Sequence, residues 1–179
     1  MSDDPSTKFP APDLPKRLFR DLKPRVRHGK AVPWSEEDKP LPFLRYLFYL
    51  YHLKHVLIEP PTCDRHEGYA LGKAVRAGFE PLVRFLLANR ADPRAMGAIP
   101  VLIAIQRKDL KMVRLLVEGD LSESSGAKRR RVPDRVVCNR EMLQMAAKVG
   151  AQDILQYLLV KGVTPNMQTF RLLHSNGYC

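Results

Sequence analysis

Along Tyr69 to Arg94 the apolar residues fall at helical spacing. Leu71, Ala74 and Val75 lie three and four apart and share one face of a short helix, and Gly78 supplies the turn that ends it. Leu82, Val83, Phe85, Leu86 and Leu87 then form the wide apolar stripe of a second helix, with Arg84 and Asn89 pointing away. A pair this small cannot bury that stripe alone. The same register returns where Val101, Ala104 and Ile105 precede Met112, Val113, Leu115, Leu116 and Val117. It returns again where Leu143, Ala146 and Ala147 precede Ile154, Leu155, Tyr157, Leu158 and Leu159. Units that cannot close their own cores close them on neighbours, so the pattern predicts an all-α solenoid of stacked helix pairs.

The flanks read differently. Residues 1–40 hold seven of the fifteen prolines and little periodicity, which predicts an extended or disordered basic arm. Within the arm, Lys16 to Lys23 has the makings of one or two helical turns showing Leu18, Phe19 and Leu22. Two readings stand here: a solvated tail, or a segment that orders on a partner through Arg17, Phe19, Arg20 and Leu22, with Arg25 and Arg27 adding charge. Trp34 is expected to dock on the repeats. Leu41 to Leu57 reads as a helix buried on most sides that caps the first unit, with Phe43, Tyr46, Phe48, Tyr49 and Tyr51 in the core. The rest, 41–179, is one repeat domain: repeats over 68–170, an insertion at 121–139 and a tail at 171–179, with Met167 onward an incomplete last helix.

The repeated units resemble the ankyrin repeat family over roughly residues 66–170. The third unit carries the resemblance through Met142-Leu143, Ala146-Ala147, Gly150, Ile154-Leu155, Leu158-Leu159 and Gly162-Val163-Thr164-Pro165-Asn166. The first carries it through Leu71, Ala74, Gly78, Leu82-Val83, Leu86-Leu87 and Ala91-Asp92-Pro93, and the second through its register and Pro100. All three depart from the family's opening Thr-Pro-Leu-His, having Tyr69-Ala70-Leu71-Gly72, Ile99-Pro100-Val101-Leu102 and Glu141-Met142-Leu143-Gln144. The central alanines are 30 and then 42 residues apart, against a family period of about 33. The longer gap holds Leu121 to Asn139. The resemblance implies a groove lined by the first helices and connecting fingers, where Lys73, Arg76, Gln106, Arg107, Met145 and Lys148 correspond to exposed positions. Arg84 and Arg114 share an outward position on second helices, with Lys111 nearby.

Charge gives these positions a direction. The chain carries a formal net charge of +11, which concentrates acidic protein segments, nucleic acid or anionic lipid. The run Lys128-Arg129-Arg130-Arg131 is similar to a nuclear localisation signal; a phosphate-contacting loop and a plain charged loop are the alternatives. Cys63, Cys138 and Cys179 are too few and too scattered for a disulfide framework, and with a polar first segment they predict a reducing interior, nuclear or otherwise cytoplasmic. The Leu41 to Leu57 run is interrupted by Arg45, His52, Lys54 and His55, so no membrane span is expected. His52, His55, Cys63 and His66 offer four zinc-type ligands, a minor alternative because their central gap is shorter than a zinc finger's. No catalytic set or phosphate-cradling glycine loop stands in a motif context. The expectation is a non-enzymatic interaction module, without cofactor or small-molecule substrate. It would bind an acidic protein surface in a nuclear complex through Lys73, Arg76, Arg107, Lys108, Arg114 and Lys148. The alternative is a nucleic-acid-associated subunit using the same cations on phosphates.

Overall fold

The apolar stripes read above become helices at the expected places. The computed structural model describes residues 13–53, 61–119 and 134–175. A 3-10 turn at Lys16–Leu18 and a two-strand antiparallel ribbon, β1 (Val26–Arg27) with β2 (Lys30–Ala31), precede the helices. These are α1 (Leu41–Leu53), α2 (Arg65–Ala77), α3 (Glu80–Ala88), α4 (Ala95–Gln106), α5 (Leu110–Glu118), α6 (Arg140–Val149), α7 (Gln152–Val160) and α8 (Met167–Ser175). The fold is an all-α helix-pair solenoid, and its chain divides into two compact units, Met1–Ala91 and Asp92–Cys179.

In the first unit α2 packs on α3, and α1 packs on α3 from elsewhere. Leu71, Ala74 and Val75 of α2 and Leu82, Val83 and Leu86 of α3 are completely buried, as their spacing requires. Phe48 of α1 meets Phe85 of α3 edge to face, with ring centroids 5.2 Å apart.

Two expectations about this unit need correction. Residues 13–40 are not a free arm: Leu14, Phe19 and Leu22 are buried, Phe19 to 1% exposure. The leucines and the phenylalanine have too much apolar surface to leave in water when a helix pair stands ready to cover it. Trp34 does dock on the repeat, stacked on Phe79 at 4.5 Å with its indole Nε1 donating to the Ala77 carbonyl at 3.0 Å. Nor is α1 buried on most sides. Leu41, Leu44 and Phe48 are buried, but Phe43, Tyr46 and Tyr49 are 52%, 61% and 57% exposed, and Tyr51 is half-buried. One helix face is all that α3 covers. The helix is described to Leu53; residues 54–57 of the expected cap lie outside the described residues.

In the second unit the helices form two layers. One contains α4, α6 and α8, with α6 touching both others, and the second contains α5 and α7. Val101, Ala104 and Ile105, Val113, Leu116 and Val117, Leu143, Ala146 and Ala147, and Ile154 and Leu158 have no exposed surface. Beyond the third pair, α8 runs to Ser175 with Thr169 buried at its start, where the Asn166 side chain accepts from the Thr169 backbone N–H at 2.9 Å.

The units open in two ways. Within the first residues of the α2 span, His66, Glu67 and Gly68 have non-helical φ of 59°, 59° and 72°, and within those of α4, Met96, Gly97 and Ala98 have 51°, 71° and 66°. In these two units a short left-handed turn stands just before Tyr69 and Ile99, where the helical residues begin. At α6 the entry is conventional: Asn139 is extended and its side chain accepts from the Met142 N–H at 3.0 Å.

Candidate partner-binding site

The exposed side of the α4, α6 and α8 layer is held together by polar contacts between the helices. Gln106 Nε2 of α4 lies 3.9 Å from Met145 Sδ of α6. Gln144 of α6 donates to Asn166 Oδ1 at 3.4 Å and to Gln168 Oε1 of α8 at 3.3 Å. The sequence singled out Gln106 and Met145; it did not single out Gln144, Asn166 and Gln168, because only packing reveals which polar side chains meet. Lys148 is exposed in the last turn of α6, where a cation suits the helix dipole. Arg107 ends α4 and is exposed beside it.

Lys108 stands out through its backbone. Each first helix ends in the same hydrogen bond, in which the N–H of Phe79, Asp109 or Ala151 donates to the carbonyl of the central alanine, Ala74, Ala104 or Ala146, at 3.0, 3.1 and 3.0 Å. That closure needs a left-handed residue just before the donor. In two units it is Gly78 (φ 72°) and Gly150 (φ 67°); in the middle unit it is Lys108 (φ 56°), an exposed residue. An L-residue there costs about 1 kcal/mol that glycine avoids. The sequence contained this signal, as the position four residues after each central alanine is Gly, Lys, Gly.

Other expected cations have local occupations. Arg84 donates from Nε and Nη2 to Glu80 Oε1 at 3.1 and 2.9 Å. The Lys73 and Lys16 ammonium groups lie 5.7 and 5.6 Å from the Tyr69 ring centre. Arg76 is exposed in the last turn of α2. Arg25 covers the outer face of Trp34 at 3.7 Å and pairs with Asp38 at 2.9 Å. The Ser35 backbone N–H, foremost, holds the Asp38 carboxyl below its usual range, with Arg25 assisting. Arg17 and Arg20 are exposed, but Phe19 and Leu22, which were to engage a partner with them, are spent on the fold. Lys128, Arg129, Arg130 and Arg131 lie outside the described residues.

On the α5 and α7 layer an unforeseen network gathers. Tyr157 donates its hydroxyl to Glu118 Oε1 at 3.0 Å, and Lys161 Nζ reaches Glu118 and Asp134 at 2.9 Å each. The Arg114 guanidinium lies 5.4 Å from the Tyr157 ring centre. Burial, then the Glu118 hydrogen bond, raises the Tyr157 phenol above its ordinary range. Burial alone would lower Lys161, but its hydrogen bonds to the two carboxylates outweigh that and raise it. The network fastens Asp134, within the last part of the insertion, and Val136 near it is buried. Gly119 (φ 86°) ends α5.

A zinc site gains nothing from these positions. Cys63 is buried, and burial, aided by Asp64, pushes its thiol up to about 12, which disfavours the thiolate that zinc binds. His52 and His66 are exposed, and His55 lies outside the described residues. Among the described residues no group of three His, Cys, Asp or Glu is placed to hold a metal ion, and no helix is long and apolar enough to cross a membrane.

A comparison with curated protein sequences finds no match. The family model for ankyrin repeats, in three copies, matches residues 71–169. That span takes in all or most of each of the three helix pairs and more than half of the chain, and with the repeated closures at Gly78, Lys108 and Gly150 it settles the family: the chain belongs to the ankyrin repeats, and is a protein–protein interaction module.

Proposed function

We propose that the second unit binds an acidic segment of a partner protein on the exposed face of α4 and α6, with Arg107, Lys108 and Lys148 supplying charge and Gln106 and Met145 the contact surface between them. The observation that carries this reading is the lysine at position 108. Both sibling positions are glycine, and a residue kept in strained backbone conformation at an exposed turn is best accounted for by what its side chain does. Electrostatic attraction from a chain of net charge +11 speeds encounter with such a partner. The module does no chemistry of its own on this reading. The basic run Lys128 to Arg131 would carry it into the nucleus, a proposal that rests on sequence alone.

Affinity purification from the source cells, with nuclease in one arm, tests the proposal. Wild type is compared with Lys108→Gly, which relieves backbone strain while removing the charge, and with Arg107→Glu/Lys148→Glu. The expected result is a defined protein that survives nuclease and is reduced about tenfold by either variant. Recovery that depends on intact nucleic acid, or equal recovery by all three chains, overturns it.

A further inference from the structure

Solenoid ends are ordinarily closed by a polar outer surface, since the helix stack otherwise ends in exposed apolar side chains. Here α1 is the terminal helix beside α3, and its outer surface is not polar. Phe43, Tyr46 and Leu53 are 52%, 61% and 53% exposed, with Tyr49 at 57% and Leu50 half-buried among them. The spacing 43, 46, 50, 53 is a helical ridge of three, four and three residues, the pattern by which one helix packs against another. The helix thus has two apolar faces, of which the described chain covers one.

Charge selects the occupant. No Asp or Glu occurs in α1, and Arg45 and His52 are exposed seven residues apart, two turns along one edge of the ridge. Arg45 pairs with Glu36 at 2.8 Å, but both side chains are exposed, at 47% and 66%, so the pair holds weakly and a partner carboxylate can exchange into it. A second copy of the chain would bring another +11 of charge against the same edge. An anionic membrane would meet Glu36 and Glu37, exposed just before the helix. We infer that the outer face of α1 is a second docking surface, taking an amphipathic helix of a partner protein whose apolar ridge is edged by carboxylates facing Arg45 and His52. This surface is separate from the α4 and α6 face and stands or falls without it.

The probe is a synthetic amphipathic peptide of about 18 residues, long enough to match α1, with leucines at helical spacing and glutamates along one edge. A twin carries lysines on that edge. Binding of each to the full chain is measured by fluorescence anisotropy. Phosphatidylcholine–phosphatidylserine vesicles and sedimentation of the chain alone serve as rival assays. The glutamate peptide is expected to bind at least about tenfold more tightly than its twin and to lose about tenfold on Tyr46→Ser/Tyr49→Ser, aromatic anchors being the usual centres of such contacts. Arg45→Glu should reverse the preference between the peptides, a result no general loss of folding imitates. Equal binding of the two peptides, no binding of either, capture by vesicles, or a dimer abolished by Tyr46→Ser/Tyr49→Ser would each overturn the inference.

Discussion

At position 108 the chain places a lysine where its two other units place glycine, and the consequences separate stability from function. Lys108→Gly removes an L-residue from φ 56° and should raise stability by about 1 kcal/mol, a gain of some 2–4 °C in melting temperature for a chain of this size. The reverse change at Gly78 or Gly150, to lysine, should lower it by a similar amount. Thermal and urea denaturation check both. A neutral Lys108→Gly would mean that the turn is relaxed in solution, leaving the case for a functional lysine without support. At this scale the sequence was informative where residues repeat. The central alanines Ala74, Ala104 and Ala146 were placed correctly because each sits at the same step of a helical period, and all three are fully buried. It was uninformative about Gln144 with Gln168 or Tyr157 with Glu118, whose pairing depends on how helices distant in sequence are set side by side.

Whole elements were legible when periodicity defined them and misread when composition did. The helix pairs α2 with α3, α4 with α5 and α6 with α7 follow from apolar spacing, while residues 13–40 look disordered by their prolines and charges yet contribute Leu14, Phe19, Leu22 and Trp34 to the first unit. A few apolar anchors in a polar segment suffice once a surface exists for them, and averages over the segment hide them. Phe19→Ala should therefore cost about 3–5 kcal/mol, as for other buried phenylalanines, while the exposed Arg17→Ala stays within about 0.5 kcal/mol. Urea denaturation distinguishes the two; equal, small effects would restore the free arm. Aromatic density misled in the opposite sense at α1, where richness in rings implied a core and three of the five rings, Phe43, Tyr46 and Tyr49, are exposed. Between α5 and α7 the polar network sets a pH limit. Both Tyr157 and Lys161 hold their protons more strongly in the folded chain than when unfolded. At high pH the folded state then binds more protons than the unfolded one, so stability falls as pH rises. The contribution is intact below the ordinary values and is lost as pH climbs above about 10. Tyr157→Phe should flatten that alkaline decline, read from melting temperatures between neutral and strongly alkaline buffers.

For the molecule as a whole, a net charge of +11 acts on folding and on binding with opposite sign. Folding gathers cations that repel one another: ion pairs such as Arg84 with Glu80 and Lys161 with Glu118 and Asp134 neutralise some of them, but basic residues outnumber acidic ones by 30 to 19. Added salt screens this repulsion with a Debye length that falls from about 30 Å at 0.01 M to about 8 Å at 0.15 M, so melting temperature should rise across that range. Association with an acidic partner draws on the same charges as attraction, and its rate should fall over the same range, chiefly through the on-rate. Contacts through apolar and polar side chains such as Met145, Gln106 and Tyr46 resist screening, so a protein partner retains measurable affinity at high salt. Phosphate binding has no such reserve: its affinity declines linearly in log–log form, by about 0.9 for each duplex phosphate neutralised. A salt series on stability and on binding thus separates the readings. Stability that rises while binding levels off marks a protein-binding ankyrin module; binding that continues to fall in proportion to salt marks a partner whose charge is all it offers.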